Sequence, residues 1–257
     1  MTEPWALRLF RKSPLKRDKV AALLSVLGPV EGKRCLDLGS DNGVVSLLLR
    51  KQGGSWASGD LTPETVDAIR GLVEEDVHLV TGDKLPFPDR EFDIVVVADM
   101  IEHVEGETDF AGELARILKP SGRLVVNTPH ARNTLLRRLR LRLGQTDEKH
   151  GHLRPGSTRE SLGALLRPWF EIREAKTYTK AFSETVDTVM QFGLERLGKK
   201  GSKKGVVVTG GDLNKHAKVF ALYSAIFPFV WAFSRLDALL PWNDGYRLLI
   251  VATRKDS

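Results

Sequence analysis

The sequence of 257 residues has little cysteine and no long apolar run. Cys35 is its single cysteine, so an internal disulfide and a four-cysteine zinc site are both excluded. The most apolar run, 219–234, has 16 residues with Pro228 among them, fewer than the ~20 that span a bilayer. The first residues are too charged for a secretory signal. We therefore expect a soluble protein of the reducing cytoplasm.

The glycine-rich fingerprint of dinucleotide-binding proteins is missing as well. Such a turn reads Gly-x-Gly-x-x-Gly, whereas here the glycines stand at 39 and 43 and residue 41 is Asp. Asp41 would lie where the chain must approach a pyrophosphate closely. A nicotinamide-dependent oxidoreductase is therefore the least favoured enzyme class.

Residues 34–50 instead predict a strand, a glycine turn and a helix in immediate succession. The apolar run Arg34–Leu38 is typical of a buried strand, and Val44–Arg50 has an amphipathic helical pattern. The turn between them contains Gly39, Ser40 and Gly43. Backbone N–H groups and the positive end of the helix would point at a ligand over this turn. A nucleotide-type site is the first interpretation, and a turn that only reverses the chain is the alternative.

Four further segments alternate with helical patterns between residues 33 and 129, and these predicted strands are Ser55–Asp60, Val77–Gly82, Phe92–Val97 and Arg123–Pro129. This alternation predicts a parallel sheet with right-handed crossovers. Ligands of such sheets bind at the carboxyl ends of the strands. Asp60 closes the second strand, 23 residues after Asp37, where it could accept hydrogen bonds from two ribose hydroxyls. A helix-capping neighbour is the alternative role for Asp60.

Several motifs resemble one enzyme family. Asp37-x-Gly39-x-x-x-Gly43 resembles motif I of the class I S-adenosylmethionine-dependent methyltransferases. Leu-Pro-Phe-Pro-Asp after Asp83, followed by the strand Phe92–Val97, is similar to the type 11-like subgroup that includes ubiquinone and menaquinone C-methyltransferases. The strings Glu-His-Val at 102–104 and Leu-Lys-Pro-Ser-Gly-Arg-Leu-Val-Val at 118–126 are also similar to that subgroup.

The resemblance implies an α/β fold. We expect a Rossmann-like parallel sheet with helices on both faces, strand six at Phe170–Tyr178, and an antiparallel seventh strand at Tyr246–Arg254 beside strand five. The expected division is an N-terminal basic, amphipathic helical segment (1–30), a methyltransferase core (31–180 and 245–257) and an inserted helical cap (181–244). A flexible basic loop is expected at Gly198–Gly211 within the insertion.

S-adenosyl-L-methionine is the cofactor that the resemblance implies. The turn residues Asp37, Gly39, Ser40 and Gly43 would hold its methionine part, together with Asp99 and Met100 after strand four. The segment around Asp60 and Leu61 would bind the ribose. Asp83 would contact the adenine amino group, and the backbone N–H of Lys84 would contact the adenine ring.

Methyl transfer from a sulfonium is an in-line displacement with a neutral leaving group, so alignment can supply about 7–11 kcal/mol of the barrier. If the acceptor is an oxygen or an acidic carbon, His103 or His130 could remove its proton. A packing role is the alternative for His103. The resemblance places His150 and His152 at the mouth of the substrate pocket. We expect no metal there, since no acidic or cysteine partner sits at ligand spacing.

Charge is distributed unevenly along the chain. Residues 1–130 carry a net charge of −5 and residues 131–257 carry +11. The basic half indicates either an anionic partner or a lysine-rich soluble surface. With the apolar run at 219–234 it favours a hydrophobic, lipid-like acceptor and peripheral membrane contact. An RNA methyltransferase is less favoured, because an aromatic-rich basic module is missing, and a non-catalytic cofactor-binding regulator is a further alternative.

Residues 4–19 mix apolar and basic side chains. Docking of this segment at the mouth of the protein's own active site is favoured over contact with a membrane surface.

Overall fold

The computed structural model describes residues 3–81, 84–144, 146, 151–196, 217–240 and 244–256. Its centre is a seven-stranded sheet in the order β3-β2-β1-β4-β5-β7-β6. The strands are β1 (Arg34–Leu38), β2 (Ser55–Asp60), β3 (Val77–Leu79), β4 (Phe92–Ala98), β5 (Leu118–Pro129), β6 (Phe170–Tyr178) and β7 (Arg247–Arg254). The first five strands pair in parallel, and β7 runs antiparallel to both of its neighbours. The predicted fold is confirmed, including the antiparallel seventh strand.

Helices cover both faces of this sheet. Within the described residues they are α1 (Trp5–Arg11), α2 (Pro14–Leu27), α3 (Val44–Arg50), α4 (Pro63–Val73), α5 (Glu107–Ile117), α6 (Leu135–Arg142), α7 (Arg159–Leu166), α8 (Ala181–Arg196) and α9 (Ala217–Arg235), with short 3₁₀ helices at Ile101–His103 and Leu236–Leu239. The insertion between β6 and β7 is helical in its described parts, α8 and α9. The expected division into 1–30, core and cap stays a prediction, and the loop expected at Gly198–Gly211 lies outside the described residues.

Some predicted boundaries shift for local reasons. β5 begins at Leu118 instead of Arg123, because Leu118 already pairs with Phe92 of β4. α7 begins at Arg159 because the side chain of Thr158 accepts a hydrogen bond from the Ser161 N–H and caps the helix.

The buried strands are apolar on both faces. In β1, Leu36 and Leu38 pack into one core cluster while Cys35 packs into a second cluster. Successive side chains of a strand alternate between faces, and a parallel strand covered on both sides therefore reads as one apolar run. Asp37 lies on the same face as Cys35 and is turned towards α3, where it meets Ser46 and Arg50.

The N-terminal helices pack onto the sheet. α2 begins at Pro14, because Ser13 caps it and proline suits its first position. Leu23 is 1% exposed in the second core cluster, together with Val20, Val26 and Leu27. α2 also contacts α8. α1 packs on α2 and α3, and Phe10 lies against the second core cluster, whereas docking of residues 4–19 at the mouth of the active site stays a prediction.

The helices after β6 pack against other helices. α8 packs against α2, α6 and α9. α9 includes Pro228 and still presents exposed apolar side chains, such as Leu222 and Phe229. In the part of the chain that the structure describes, no helix combines the length and apolar character needed to cross a membrane.

Candidate active site

The turn after β1 is built from glycines that have no room for a side chain. Gly39 has a φ of +88°, and a Cβ on it would lie 2.3 Å from the Ala98 carbonyl oxygen at the end of β4. Gly43 has a φ of +79°, and a Cβ there would lie 2.9 Å from the Cα of Ile69 in α4. The spacing of the two glycines therefore reflects close backbone packing as well as the turn.

Asp37 is held by the chain itself. Its carboxylate accepts hydrogen bonds from the Ser46 hydroxyl at 2.6 Å and the Ser58 hydroxyl at 2.7 Å, and Arg50 lies 3.4 Å away. Burial raises the pKa of Asp37, while the two hydroxyls and Arg50 act in the opposite direction. These contacts fix the turn to α3 and β2. The neighbouring Ser40 hydroxyl likewise accepts from the Ser46 N–H at 3.1 Å.

Asp60 lies at the end of β2, beside the turn. One carboxylate oxygen accepts from the Asp41 N–H at 3.0 Å and the other accepts from the Leu61 N–H at 2.7 Å. A carboxylate at the end of this strand is a group that can accept hydrogen bonds from ribose hydroxyls. Asp60 is fully buried in this conformation.

Asp99, after β4, is the centre of a charged network. Its carboxylate accepts from Lys19 Nζ at 3.0 Å, Arg247 Nη1 at 2.7 Å and Asn127 Nδ2 at 2.8 Å. The Tyr178 hydroxyl donates to Asn127 Oδ1. Burial alone would lower the pKa of Arg247, but the Asp99 charge raises it. α2, β5, β6 and β7 thus meet at this carboxylate.

The remaining predicted cofactor residues differ in their surroundings. Met100 is fully buried in the core next to Gly39, so its contact with a cofactor would come from the backbone. Lys84 is exposed. Asp83 lies outside the described residues, and its adenine role stays a prediction.

Two of the predicted histidines form a cluster with a buried acid. His103 follows Glu102 in the 3₁₀ helix, and its ring centroid lies 4.8 Å from that of His152. One ligand atom each of Glu102, His103 and His152 lies within 4.8 Å of the others. The structure thus supplies an acidic partner that the sequence spacing did not reveal, and such a group can share protons or hold a metal ion. His150 lies outside the described residues.

Hydrogen bonds fix the tautomers of two histidines. His103 Nδ1 lies 2.9 Å from the Gly151 carbonyl oxygen, and His130 Nδ1 lies 3.0 Å from the Gly245 carbonyl oxygen. A carbonyl oxygen only accepts, so each Nδ1 carries the proton. In the neutral ring each Nε2 is then a proton acceptor.

His130 lines a small, open cleft of about 30 Å³ next to the carboxyl end of β5. The other lining residues come from β5, α6, α8 and the loops beside them: Pro129, Arg132, Thr134, Arg137, Arg140, Leu141, His152, Glu184 and Tyr246. The cleft brings His130 and His152 together. The lining does not include Asp37, Gly39, Asp60 or Asp99.

Sequence reasoning missed the charged residues of this region. Arg140 is buried although it belongs to a leucine-rich basic helix whose Leu135, Leu139 and Leu141 are exposed. The hydrophobic pattern of α6 predicts the opposite arrangement, so it offers no signal for Arg140. Nothing in the sequence indicates that Lys19 and Arg247 share a partner, because Asp99 is 80 and 148 residues away from them along the chain.

Comparison with known proteins agrees with this architecture. A family model described as "Methyltransferase domain" matches residues 36–126, from β1 into β5. Residues 36–126 are therefore similar to a methyltransferase domain. Such a domain implies S-adenosylmethionine as the cofactor. Asp60 and Asp99 lie at one edge of the sheet, where Asp60 would accept from the ribose hydroxyls of the cofactor and Asp99 would pair with its amino group.

Curated relatives match less than half of the chain. The chain is 34% identical over 122 residues to ubiquinone biosynthesis O-methyltransferase of Xylella fastidiosa (strain 9a5c), covering 45% of this chain and 48% of the relative. It is 30% identical over 108 residues to demethylmenaquinone methyltransferase of Tropheryma whipplei (strain Twist), covering 41% and 45%. The chain therefore spans less than half the length of these curated relatives.

Among solved structures, a SAM-dependent methyltransferase from Archaeoglobus fulgidus superimposes with a TM-score of 0.57 at 16% identity. The match covers 91% of this chain and 92% of that chain. At this identity the likeness shows the fold alone.

Proposed function

We propose that the chain is an S-adenosylmethionine-dependent methyltransferase that methylates a small, hydrophobic or lipid-like acceptor. The observation that carries the proposal is the position of the methyltransferase domain: its glycine turn, Asp60 and Asp99 lie at the same carboxyl edge of the sheet. The relatives named for ubiquinone and menaquinone methylation support a lipophilic acceptor. A cytoplasmic location is part of the proposal.

Alignment is the main task of the chain in this reaction. When bound, the cofactor supplies an electrophilic methyl group on a sulfonium. Asp60 would accept hydrogen bonds from the ribose hydroxyls. Asp99 would pair with the amino group of the cofactor, at the position that the Lys19 ammonium group occupies in this structure. The cleft would hold the acceptor beside it. Good alignment of two reactants supplies on the order of 7–11 kcal/mol.

Proton removal would fall to a histidine if the acceptor needs it. His130 is buried at the cleft with Nδ1 held by the Gly245 carbonyl, which keeps Nε2 as the acceptor. His103 has the same tautomer, held by Gly151. His130 is the stronger candidate, because it lines the cleft directly.

Cofactor binding tests the first step. Calorimetric titration with S-adenosylmethionine should give at least about tenfold weaker binding for Asp60→Ala, because a carboxylate–hydroxyl contact is charge-assisted. Asp67→Ala is the matched control, since Asp67 is an exposed acid on the following helix. Equal affinity of Asp60→Ala and the wild-type protein would remove the assigned role.

Methyl transfer tests the acceptor class. With a radiolabelled methyl donor, label should enter the lipid fraction of a cell extract. Label in RNA would favour an RNA methyltransferase, the alternative that the basic half of the chain suggests. Cofactor binding without transfer to any fraction would favour a regulator with this fold.

Peripheral membrane contact is the second part of the proposal. On α9, Leu222, Ile226, Phe229 and Phe233 recur at helical spacing and are all exposed. Nearby cations lie over aromatic rings of the same helix, as Lys12 does over Phe227 at 4.9 Å. An exposed apolar stripe with neighbouring cations suits the surface of an anionic membrane.

Vesicle co-sedimentation tests this contact. The protein should pellet with phosphatidylglycerol vesicles more than with phosphatidylcholine vesicles, and Phe229→Ser should reduce the bound fraction. Leu135→Ser, which changes an equally exposed leucine on α6, should not. Equal loss in both variants would contradict a specific role for α9.

A further inference from the structure

Three donors from different parts of the fold meet at the Asp99 carboxylate. Arg247 lies on β7 and Asn127 lies on β5, so both are held by the sheet. The Tyr178 hydroxyl of β6 donates to Asn127 in turn. The third donor is Lys19, which comes from α2, a helix outside the sheet. Of these three donors, Lys19 is therefore the one that can leave while the carboxylate keeps its position.

Lys19 presents to Asp99 the same chemical group that the cofactor would present. An ammonium group is carried by the lysine side chain and by the methionine part of S-adenosylmethionine, and each bears one positive charge and N–H donors. Lys19 Nζ lies 3.0 Å from Asp99 Oδ2. A second ammonium group at this oxygen would meet a like charge at close range. The two groups would therefore compete for the Asp99 carboxylate.

The residue before Lys19 joins α2 to α9. Asp18 lies 2.7 Å from Arg235, the last residue of α9. The Arg235 side chain is 44% exposed and the Asp18 side chain is 21% exposed, so an anion in solution can reach the guanidinium group more easily than Asp18 can be reached. Asp18 and Lys19 belong to one turn of α2. The pair with Arg235 thus helps to hold the Lys19 ammonium group at Asp99.

The end of α9 is also anchored independently of α2. Asp237, two residues after Arg235, accepts hydrogen bonds from the Lys180 N–H at 2.8 Å and the Phe182 N–H at 2.9 Å. Both N–H groups lie at the start of α8. Because this contact does not involve Asp18, separation of Arg235 from Asp18 would loosen α2 while the end of α9 stays attached to α8.

We propose that Lys19 competes with the cofactor for Asp99, and that docking of α9 on an anionic membrane reduces this competition. Head-group phosphates take Arg235 from Asp18, because a guanidinium group binds phosphate through two parallel hydrogen bonds. α2 is then held less firmly, the ion pair of Lys19 with Asp99 weakens, and the cofactor binds more tightly. This inference rests on the proposed cofactor binding and the proposed membrane contact.

Variants studied without a membrane test the competition. In a calorimetric titration, Lys19→Gln should bind S-adenosylmethionine about two- to fivefold more tightly than the wild-type protein, the effect of removing a partly exposed ion pair. Arg235→Gln should also bind it more tightly, which keeps the test valid if Lys19→Gln does not fold. Arg17→Gln is the matched control, because it removes one positive charge at an exposed position of α2 and should bind like wild type. Circular dichroism verifies folding.

Vesicles test the link to α9. Phosphatidylglycerol vesicles should tighten binding of S-adenosylmethionine to the wild-type protein about two- to fivefold, whereas phosphatidylcholine vesicles should not, because they lack the anionic surface. Arg235→Gln should still pellet with phosphatidylglycerol vesicles, but its cofactor affinity should not change further. Coupling is reciprocal, so saturating cofactor should increase the fraction of wild-type protein that pellets with these vesicles.

Two results would overturn the inference. Wild-type or weaker cofactor affinity in folded Lys19→Gln and Arg235→Gln would remove the competition. Unchanged cofactor affinity of wild-type protein that has pelleted with phosphatidylglycerol vesicles would remove the link to α9. Failure of the proposed function gives a different pattern, since the wild-type protein would then bind no cofactor or would not pellet with vesicles, and this inference would fall with it.

Discussion

Gly39 and Gly32 both adopt a positive φ but differ in their surroundings. At Gly32, with a φ of +68°, a Cβ would meet no atom within 4 Å. At Gly39 the same atom would lie 2.3 Å from the Ala98 carbonyl oxygen. Only Gly39 is therefore constrained by both backbone conformation and packing. Because Ala98 precedes Asp99, this contact also fixes the position of the charged network.

Alanine at these two glycines should separate the two effects. Gly32→Ala should lower the free energy of unfolding by about 1 kcal/mol, the cost of a left-handed conformation. Gly39→Ala should lower it by about 3 kcal/mol or more, because strain and a backbone clash are added. Urea unfolding followed by circular dichroism measures both. Equal losses would show that the Ala98 contact is unimportant.

The helix α5 holds the loop that carries the Leu-Pro-Phe motif. Arg116 donates to the Phe87 and Leu85 carbonyls at 2.9 and 3.0 Å, and Glu113 accepts from the Leu85 N–H at 2.8 Å. Arg116 and Glu113 also form an ion pair at 2.7 Å. Two prolines prevent regular structure in this loop, so its shape is set by α5. The Leu-Pro-Phe motif is thus held in place by a helix that follows it in the sequence.

The same pair predicts a dependence of stability on pH. The hydrogen bond from Arg116 lowers the pKa of Glu113 below its ordinary value of 4.5. Such an acid stabilises the fold above its unfolded pKa, and this contribution is lost as the pH falls through the folded value. Glu113→Gln should therefore cost about 1 kcal/mol at pH 7, and its difference from wild type should shrink below pH 4.5. Urea unfolding across this range measures it, with exposed Glu105→Gln as control.

The start of the chain is joined to both the sheet and the late helices. The Tyr223 hydroxyl of α9 donates to the Lys12 carbonyl at 2.6 Å, and Arg235 pairs with Asp18 at 2.7 Å. Lys19 reaches Asp99, and Leu23 is buried under the sheet. Contacts from the first 27 residues therefore connect the sheet to the helices after β6. We expect these parts to unfold together.

A core substitution in α2 tests this coupling. Leu23→Ala should lower the global free energy of unfolding by about 3 kcal/mol, because it leaves a cavity under the sheet. Leu139→Ala, at a half-exposed leucine of α6, should stay within about 0.5 kcal/mol. Tryptophan fluorescence and circular dichroism should report coincident transitions. A separate early transition for α2 in Leu23→Ala would contradict the coupling.

Local patterns were sufficient for most of the sheet. β1, β2 and β6 begin and end where the apolar runs and turn residues predict, and the glycine turn and Asp60 follow their strands as expected. These features depend on side-chain periodicity and turn chemistry within a few residues. The surroundings of Asp37 could not be predicted in this way, because its hydrogen bonds come from Ser46 and Ser58, which belong to other elements.

The sequence by itself determined the order of strands and helices, the glycine turn and the methyltransferase resemblance, because each is written in neighbouring residues. Only the tertiary structure decided that Lys19 and Arg247 share Asp99 and that Arg140 is buried in a cleft. These arrangements join residues that are far apart along the chain. Their energies arise from desolvation and charge pairing, which exist only once the helices have packed on the sheet.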